Sequence, residues 1–278
     1  MATNDYYKPT KPTVAKTQRQ IMKEKELNRK LLLLNSLIVG SVVLLVFAVV
    51  GFLKQKLIAT AAESTYEIVA DSAVKVVDGE RTVDFSIVKS EGSTSTSWLY
   101  LPDTAIDYPL VQGNDNDVYL GMDAYGNKSD AGAIFINFAN SSDMSDVKTI
   151  IFGHNMANGS MFTDLHKYSD KKWGDLHQNA YIYMDSGEIK HYRLLYYIFT
   201  QPSDDDVYVV SKMDVGEEEA AKLKDASSIV YNEYSGGNMI CLSTCTMHKY
   251  RTVVVFEYVD GNGPIRGITE EASTETSK

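Results

Sequence analysis

Residues 239–259 read MICLSTCTMHKYRTVVVFEYV: an apolar run, a short polar interval, and a second run rich in β-branched residues. This pattern predicts two antiparallel strands joined by Thr246-Met247-His248-Lys249-Tyr250. A hairpin of that kind holds Cys245, at the end of one strand, beside Arg251, at the start of the next, where both can act on one substrate carbonyl. A cysteine thiolate is a competent nucleophile, and a neighbouring guanidinium favours the anion and donates hydrogen bonds to a developing oxyanion. Arginine keeps its charge throughout the accessible pH range.

The other cysteine, Cys241, lies four residues earlier. On one strand that separation is roughly 13 Å, well beyond the roughly 7 Å that a disulfide spans between Cα atoms. Cys241 shares a face with Cys245 but sits deeper, so it reads as a small buried hydrophobe. Two cysteines in 278 residues make no disulfide framework.

Outward from the hairpin, short β-rich runs recur at 98–101, 106–111, 133–137, 149–152, 180–184, 191–200, 238–244 and 252–259. Eight short strands separated by turn chemistry predict a mainly β fold: a closed or nearly closed eight-stranded barrel. Two helical insertions interrupt them. One comes after Gly159 (SMFTDLHKYSDKKWGDL); the other is a long helix over 214–229, just before the cysteine strand, with Asp214 as N-cap and glutamates at its positive end. Apolar-periodic stretches in 57–90 predict one or two helices leading into a Ser/Thr/Gly boundary at 91–97.

A catalytic thiol calls for an imidazole, and five histidines are available. His154 ends the strand-like run 149–153 and opens an Asn/Gly-rich loop, which places it at a strand end facing a cleft. His166 and His177 fall in polar helical context, His191 lies within an alternating strand, and His248 is at a hairpin tip. His154 is therefore the expected partner of Cys245. No metal or other cofactor is expected. The spacing Cys241-x3-Cys245 has no second ligand pair, 114–117 fails the calcium-loop pattern because Tyr119 stands where an oxygen is needed, and Asp204-Asp205-Asp206 reads as a solvated turn.

Residues 31–53, LLLLNSLIVGSVVLLVFAVVGFL, carry no charge and are bounded by Arg29-Lys30 and Lys54. As a helix these residues span roughly 34 Å, enough for a hydrocarbon core of about 30 Å. The competing assignment is a cleaved signal peptide, supported by Ala59-Thr60-Ala61, but such apolar regions run to only about 15 residues. Residues 1–30 hold eight Lys/Arg against three Asp/Glu, so the positive-inside rule keeps this tail cytoplasmic and exports the chain beyond the span. Residues 57–278 hold 17 basic and 34 acidic side chains, a polyanion that phosphate backbones repel, which excludes nucleic-acid binding. The basic tail and the Gly/Ser/Thr/Glu-rich stretch 261–278 read as disordered. The expected domains are thus a basic tail (1–30), a transmembrane helix (31–53), a helical lead-in (54–97), a catalytic barrel (98–260) and a C-terminal tail (261–278).

Taken with the single N-terminal anchor, the motifs Leu242-Ser243-Thr244-Cys245, Arg251 and Phe152-Gly153-His154-Asn155 resemble the sortases, cysteine transpeptidases of the outer face of Gram-positive membranes. Trp98-Leu99-Tyr100-Leu101-Pro102, Ile106-Asp107-Tyr108-Pro109-Leu110-Val111-Gln112-Gly113, Asn116-Asp117-Val118-Tyr119-Leu120 and Gly159-Ser160-Met161-Phe162 are similar to class B members. The resemblance implies that His154, Cys245 and Arg251 are the catalytic residues, that Asn116, Leu120 and Ser243 line the peptide groove, and that Thr244 belongs with them. It also implies the partners: secreted proteins bearing a sorting signal, the plasma membrane, and an acceptor amine from a peptidoglycan precursor or a pilin. Two departures stand out. Cys241 replaces the first Thr of the usual Thr-Leu-x-Thr-Cys, and the Cys-to-Arg loop is short. The alternatives are another extracellular Cys/His peptidase, an L,D-transpeptidase (whose Ser-His-Gly-Cys type of signature is absent), and a catalytically silent wall-binding module.

Overall fold

The computed structural model describes residues 17–210, 215–246 and 249–259, with the backbone alone for 55–64, 245 and 246. Most of the expected basic tail, the whole of the 261–278 tail, Asp214 and His248 lie outside the described residues. The chain divides between Lys56 and Leu57 into two compact units.

The first unit is helical. Helix α1 (Gln18–Ala73) begins here, and its stretch Gln18–Lys54 is long and apolar enough to cross a membrane. Its large apolar side chains are exposed, Leu37 by 71% and Phe47 by 72%, the reverse of a helix made to pack in a soluble core. The helix starts inside the tail expected to be disordered. Residues 18–30 are rich in strong helix formers, and a Glu26–Lys30 ion pair at 2.9 Å adds i,i+4 support.

The second unit opens with the last turns of α1, which bury Tyr66, Val69 and Ala73. The one or two helices expected within 57–90 are the end of α1 and a short second helix, and between them β1 (Val74–Val77) and β2 (Glu80–Val83) form a hairpin that this expectation does not include. Asp78 (φ 53°) and Gly79 (φ 80°) make its two-residue turn, the backbone that Asp-Gly accepts at least cost. The short helix α2 (Phe85–Ser90) comes next, capped by Asp84, whose carboxylate accepts from the Ser86 N–H.

The barrel strands are β3 (Ser97–Tyr100), β4 (Asp107–Gln112), β5 (Ile134–Ile136), β6 (Lys148–Phe152), β7 (Asn179–Met184), β8 (Ile189–Thr200), β10 (Met239–Thr246) and β11 (Tyr250–Val259). They pair in the order β11-β10-β6-β5-β4-β3-β7-β8, and β8 closes the barrel on β11 from Arg251↔Thr200 to Val259↔His191. The two-residue β9 (Ile229–Val230) adds to the edge of β8 beside Tyr196 and Tyr197. Each of the eight expected runs becomes one barrel strand.

Both faces of the site-bearing strands are buried, with period two. Ile240, Leu242, Val254 and Phe256 join the inner core with Trp98, Ile151 and Ile182. Met239, Cys241, Val253 and Val255 join an outer core, covered by Val207 of α4 (Asp205–Tyr208) and Ala220 and Leu223 of α5 (Gly216–Asp225). Helix α5 is thus a ten-residue element ending before β9. The insertion after Gly159 folds as a 3-10 helix, Thr163–Ser169, and α3 (Lys171–Leu176), with Leu165 and Tyr168 in the inner core.

The approach to β10 is held by Glu257, a fully buried carboxylate on β11. It accepts from the Ser235 and Gly237 N–H groups and pairs with Arg193 at 3.2 Å. Burial pushes its pKa up, but these hydrogen bonds outweigh that effect and hold it below the usual carboxylate value. A depressed folded-state pKa stabilises the fold above the ordinary carboxylate range, and this contribution is lost as pH falls through that range. Glu257→Gln is therefore expected to flatten the acid-side fall of Tm; an unchanged profile would show that other carboxylates set it.

Candidate active site

Strands β6 and β10 are parallel neighbours, with Ser243 opposite Phe152 as the last pair of their ladder. The next residues leave the same end of the barrel together, and Gly153 N–H donates to Ser243 O at 3.1 Å. His154 and Cys245 each stand two residues past that last pair. In the antiparallel ladder of β10 and β11, Cys245 lies directly opposite Arg251. One parallel and one antiparallel pairing therefore bring three distant positions to one rim.

A groove at this rim is lined by Asn116, Leu120, His154, Ser243, Thr244 and Arg251, six positions singled out from the sequence, all in one place. Asp117, Phe135, Phe152 and Gly153 complete it. In the sequence Phe152 is a strand residue and the first of the Phe152-Gly153-His154-Asn155 motif, with nothing to mark its ring as a groove wall. Its place in the wall depends on a tilted ring contact with Phe135 (5.4 Å) and stacking on Tyr208 (6.4 Å), contacts between segments apart in the chain.

Local chemistry fixes each wall. Asp115 accepts from the Asp117 and Val118 N–H groups, and these bonds hold its carboxyl below the usual range. Asn116 Oδ1 accepts from Phe138 N–H at 3.0 Å, which leaves the amide NH2 as the part free to donate. Ser243 exchanges a hydrogen bond with Tyr208 Oη at 2.8 Å, tying β10 to α4. Thr244 Oγ1 is buried and has no partner among the described residues, an unused hydrogen-bonding capacity on the groove.

His154 is held at backbone and ring. Its carbonyl accepts from Phe162 N–H at 2.9 Å, and its Nε2 lies 2.9 Å from the Leu120 carbonyl oxygen. Gly153 allows the close packing, since a Cβ there would lie 2.5 Å from Ile134 and 2.7 Å from the Phe162 ring. Arg251 is partly exposed, donates to the Tyr250 carbonyl at 3.1 Å, and has no carboxylate partner among the described residues. Its remaining donors are available to a ligand.

Cys241 is sealed in the outer core opposite Ile150 and Val255, and burial pushes its thiol up to about 12. At neutral pH it is a protonated, inaccessible thiol. Of the other histidines, His166 bonds Thr252 Oγ1, His177 stacks on Trp173 at 3.7 Å, and His191 stacks on Tyr181 at 4.7 Å; none lines the groove. No cluster of three or more His, Cys, Asp or Glu suited to a metal occurs among the described residues.

A sortase-domain family model matches residues 99–259. Sortase B from Listeria monocytogenes is 34% identical over 184 residues, which is 64% of this chain and 74% of that protein. Among solved structures, sortase B from Bacillus anthracis superposes with a TM-score of 0.64 at 23% identity, over 73% of this chain and 99% of that one. A Streptococcus pyogenes class B sortase involved in pilus biogenesis superposes with a TM-score of 0.57 at 25% identity, over 64% of this chain and 98% of that one.

Proposed function

This chain belongs to the sortase family, as a class B member and a cysteine transpeptidase, and on that premise we propose that Cys245 is its nucleophile, His154 its acid and base, and Arg251 its oxyanion donor. The family acts on sorting-signal substrates. Here the sulfur of Cys245, giving up its proton to His154, attacks the scissile carbonyl of a C-terminal sorting signal, and the tetrahedral oxyanion faces the guanidinium of Arg251. His154 protonates the leaving amine as the C–N bond breaks. An incoming amine then displaces Cys245 from the acyl-enzyme. That amine belongs to a peptidoglycan precursor or to a pilin.

One observation supports this reading: the β6/β10/β11 pairings bring the backbone positions of His154, Cys245 and Arg251 to one rim, where His154 and Arg251 line a groove with Asn116, Leu120, Ser243 and Thr244. Those four are proposed to bind the peptide, Asn116 through its amide NH2. The apolar stretch of α1 would anchor the protein with residues 1–30 cytoplasmic and the barrel outside, supported by the basic excess before the span. Anchoring brings enzyme, secreted substrate and membrane-borne acceptor onto one surface, which raises their effective concentration.

Full-length protein in nanodiscs, given a library of sorting pentapeptides with triglycine, is expected to yield peptide joined to amine. A free-acid product would assign a hydrolase instead. Lysine-bearing pilin peptides and wall-precursor stem peptides then distinguish the two acceptors. Arg251→Lys is expected to lower kcat/KM by about 10²–10³, since one ammonium cannot reproduce the guanidinium fork. Full activity in that variant would remove the oxyanion role.

A further inference from the structure

The turn that lines the groove also grips the imidazole. The Leu120 side chain is on the groove wall, and the Leu120 carbonyl is the hydrogen-bond partner of His154 Nε2 at 2.9 Å. A carbonyl oxygen only accepts, so Nε2 must carry the hydrogen. Two states of the ring meet this condition, the neutral Nε2–H tautomer and the imidazolium. The neutral Nδ1–H tautomer does not, because it would set an Nε2 lone pair against the oxygen. These two permitted states differ by one proton, on Nδ1.

The turn itself has little freedom. Its Tyr119 carbonyl accepts from Ala133 N–H at 3.0 Å, and the Gly132 carbonyl accepts from Tyr66 Oη at 3.1 Å. Gly132 has φ +61°, and a Cβ there would lie 2.5 Å from Tyr119 O, 3.0 Å from His154 Cδ2 and 3.2 Å from Leu120 O. A glycine is thus the residue that lets the turn close on the ring.

We propose that the Leu120 carbonyl is a positioning group that locks His154 as the Nε2–H tautomer and assigns all proton exchange to Nδ1, with Gly132 as the backbone position that permits the lock. The proposal rests on the role given to His154 above. Nδ1 takes the thiol proton of Cys245 as sulfur bonds to the scissile carbonyl carbon, which gives an imidazolium held through Nε2. As the C–N bond breaks, Nδ1 returns that proton to the departing amine nitrogen, and the ring regains its first tautomer. On deacylation the sequence runs in the other direction with the acceptor amine.

The test is long-range 1H–15N NMR of histidine-labelled full-length protein in nanodiscs, with the His154 signals assigned by loss in His154→Gln. The resting enzyme is expected to show His154 as the Nε2–H tautomer. A predominant Nδ1–H form, or the mixture of a free imidazole, would overturn the proposal. Gly132→Ala is expected to release the ring to a mixed tautomer and to lower kcat by about tenfold or more. Leu120→Ala, which keeps the carbonyl, is expected to raise KM while the tautomer stays as it was. A Gly132→Ala variant that folds and keeps the pure Nε2–H form would also overturn it. The tautomer is read without turnover, so an inactive protein with a locked ring would undermine the transpeptidase roles and leave the lock standing.

Discussion

Cys245→Ala is expected to reduce cleavage of a sorting peptide to background while leaving the fold intact, and Cys241→Ser to retain most of the activity. The contrast arises from position. By strand register the backbone of Cys245 lies opposite Arg251 and level with His154 at the rim, the position from which the proposed nucleophile would meet a peptide. Cys241 is enclosed by Ile150, Val255 and the α5 side chains, and its thiol is pushed up to about 12, so it takes no part in nucleophilic chemistry. Serine at 241 would bury a hydroxyl and cost about 1–3 kcal/mol of stability, so activity should be measured well below the variant's Tm. A thiol-directed sorting-peptide analogue should label the wild type and Cys241→Ser but not Cys245→Ala. Labelling lost in Cys241→Ser instead would transfer the nucleophile to the other cysteine.

Breaking the Lys148–Glu219 ion pair is expected to cost about 3–5 kcal/mol, read as a lower denaturant midpoint of the full-length protein for Lys148→Met or Glu219→Gln. The two side chains are 2% and 3% exposed and 2.6 Å apart, so removing one leaves the other as a buried charge. Lys222 also pairs with Glu219, and Lys148 Nζ donates to the Asp206 carbonyl of α4 at 3.1 Å. The pair therefore ties β6, which leads to His154, to both covering helices. Helix α4 carries Tyr208, the partner of Ser243 and Phe152, so loosening it should also raise KM. Burial pushes the Glu219 pKa up, but Lys148 and Lys222 prevail and hold it below the usual value. The contribution of the pair is accordingly present above the ordinary carboxylate range and fades as pH falls through it. Replacing both partners, Lys148→Met with Glu219→Leu, should cost much less than either single change. A loss below about 1 kcal/mol in both single variants would show that water reaches the pair.

Much of this architecture was legible along the chain because its signals are local. Alternation and β-branched residues marked each barrel strand, and an uncharged run of 23 residues marked the apolar part of α1. The hairpin of β1 and β2 was equally local, signalled by Asp78-Gly79, but apolar periodicity in the preceding residues masked it. The extension of α1 back to Gln18 was likewise masked, there by the polarity of residues that are nonetheless strong helix formers.

The order of residues alone determined which side chains could carry the chemistry: a thiol closing an apolar strand, a guanidinium opening the next, an imidazole ending a third. Only the tertiary structure decided that β6 runs parallel to β10, so that the His154 end meets the Cys245 end, and that the Leu120 carbonyl reaches Nε2 across 34 positions of chain. It also decided which cysteine is sealed, because burial of Cys241 depends on helices that fold over the strand from 16 or more residues away. The reason is that strand propensity and periodicity are written in neighbouring residues, whereas pairing partner, register and burial are settled when segments distant in sequence exclude water together.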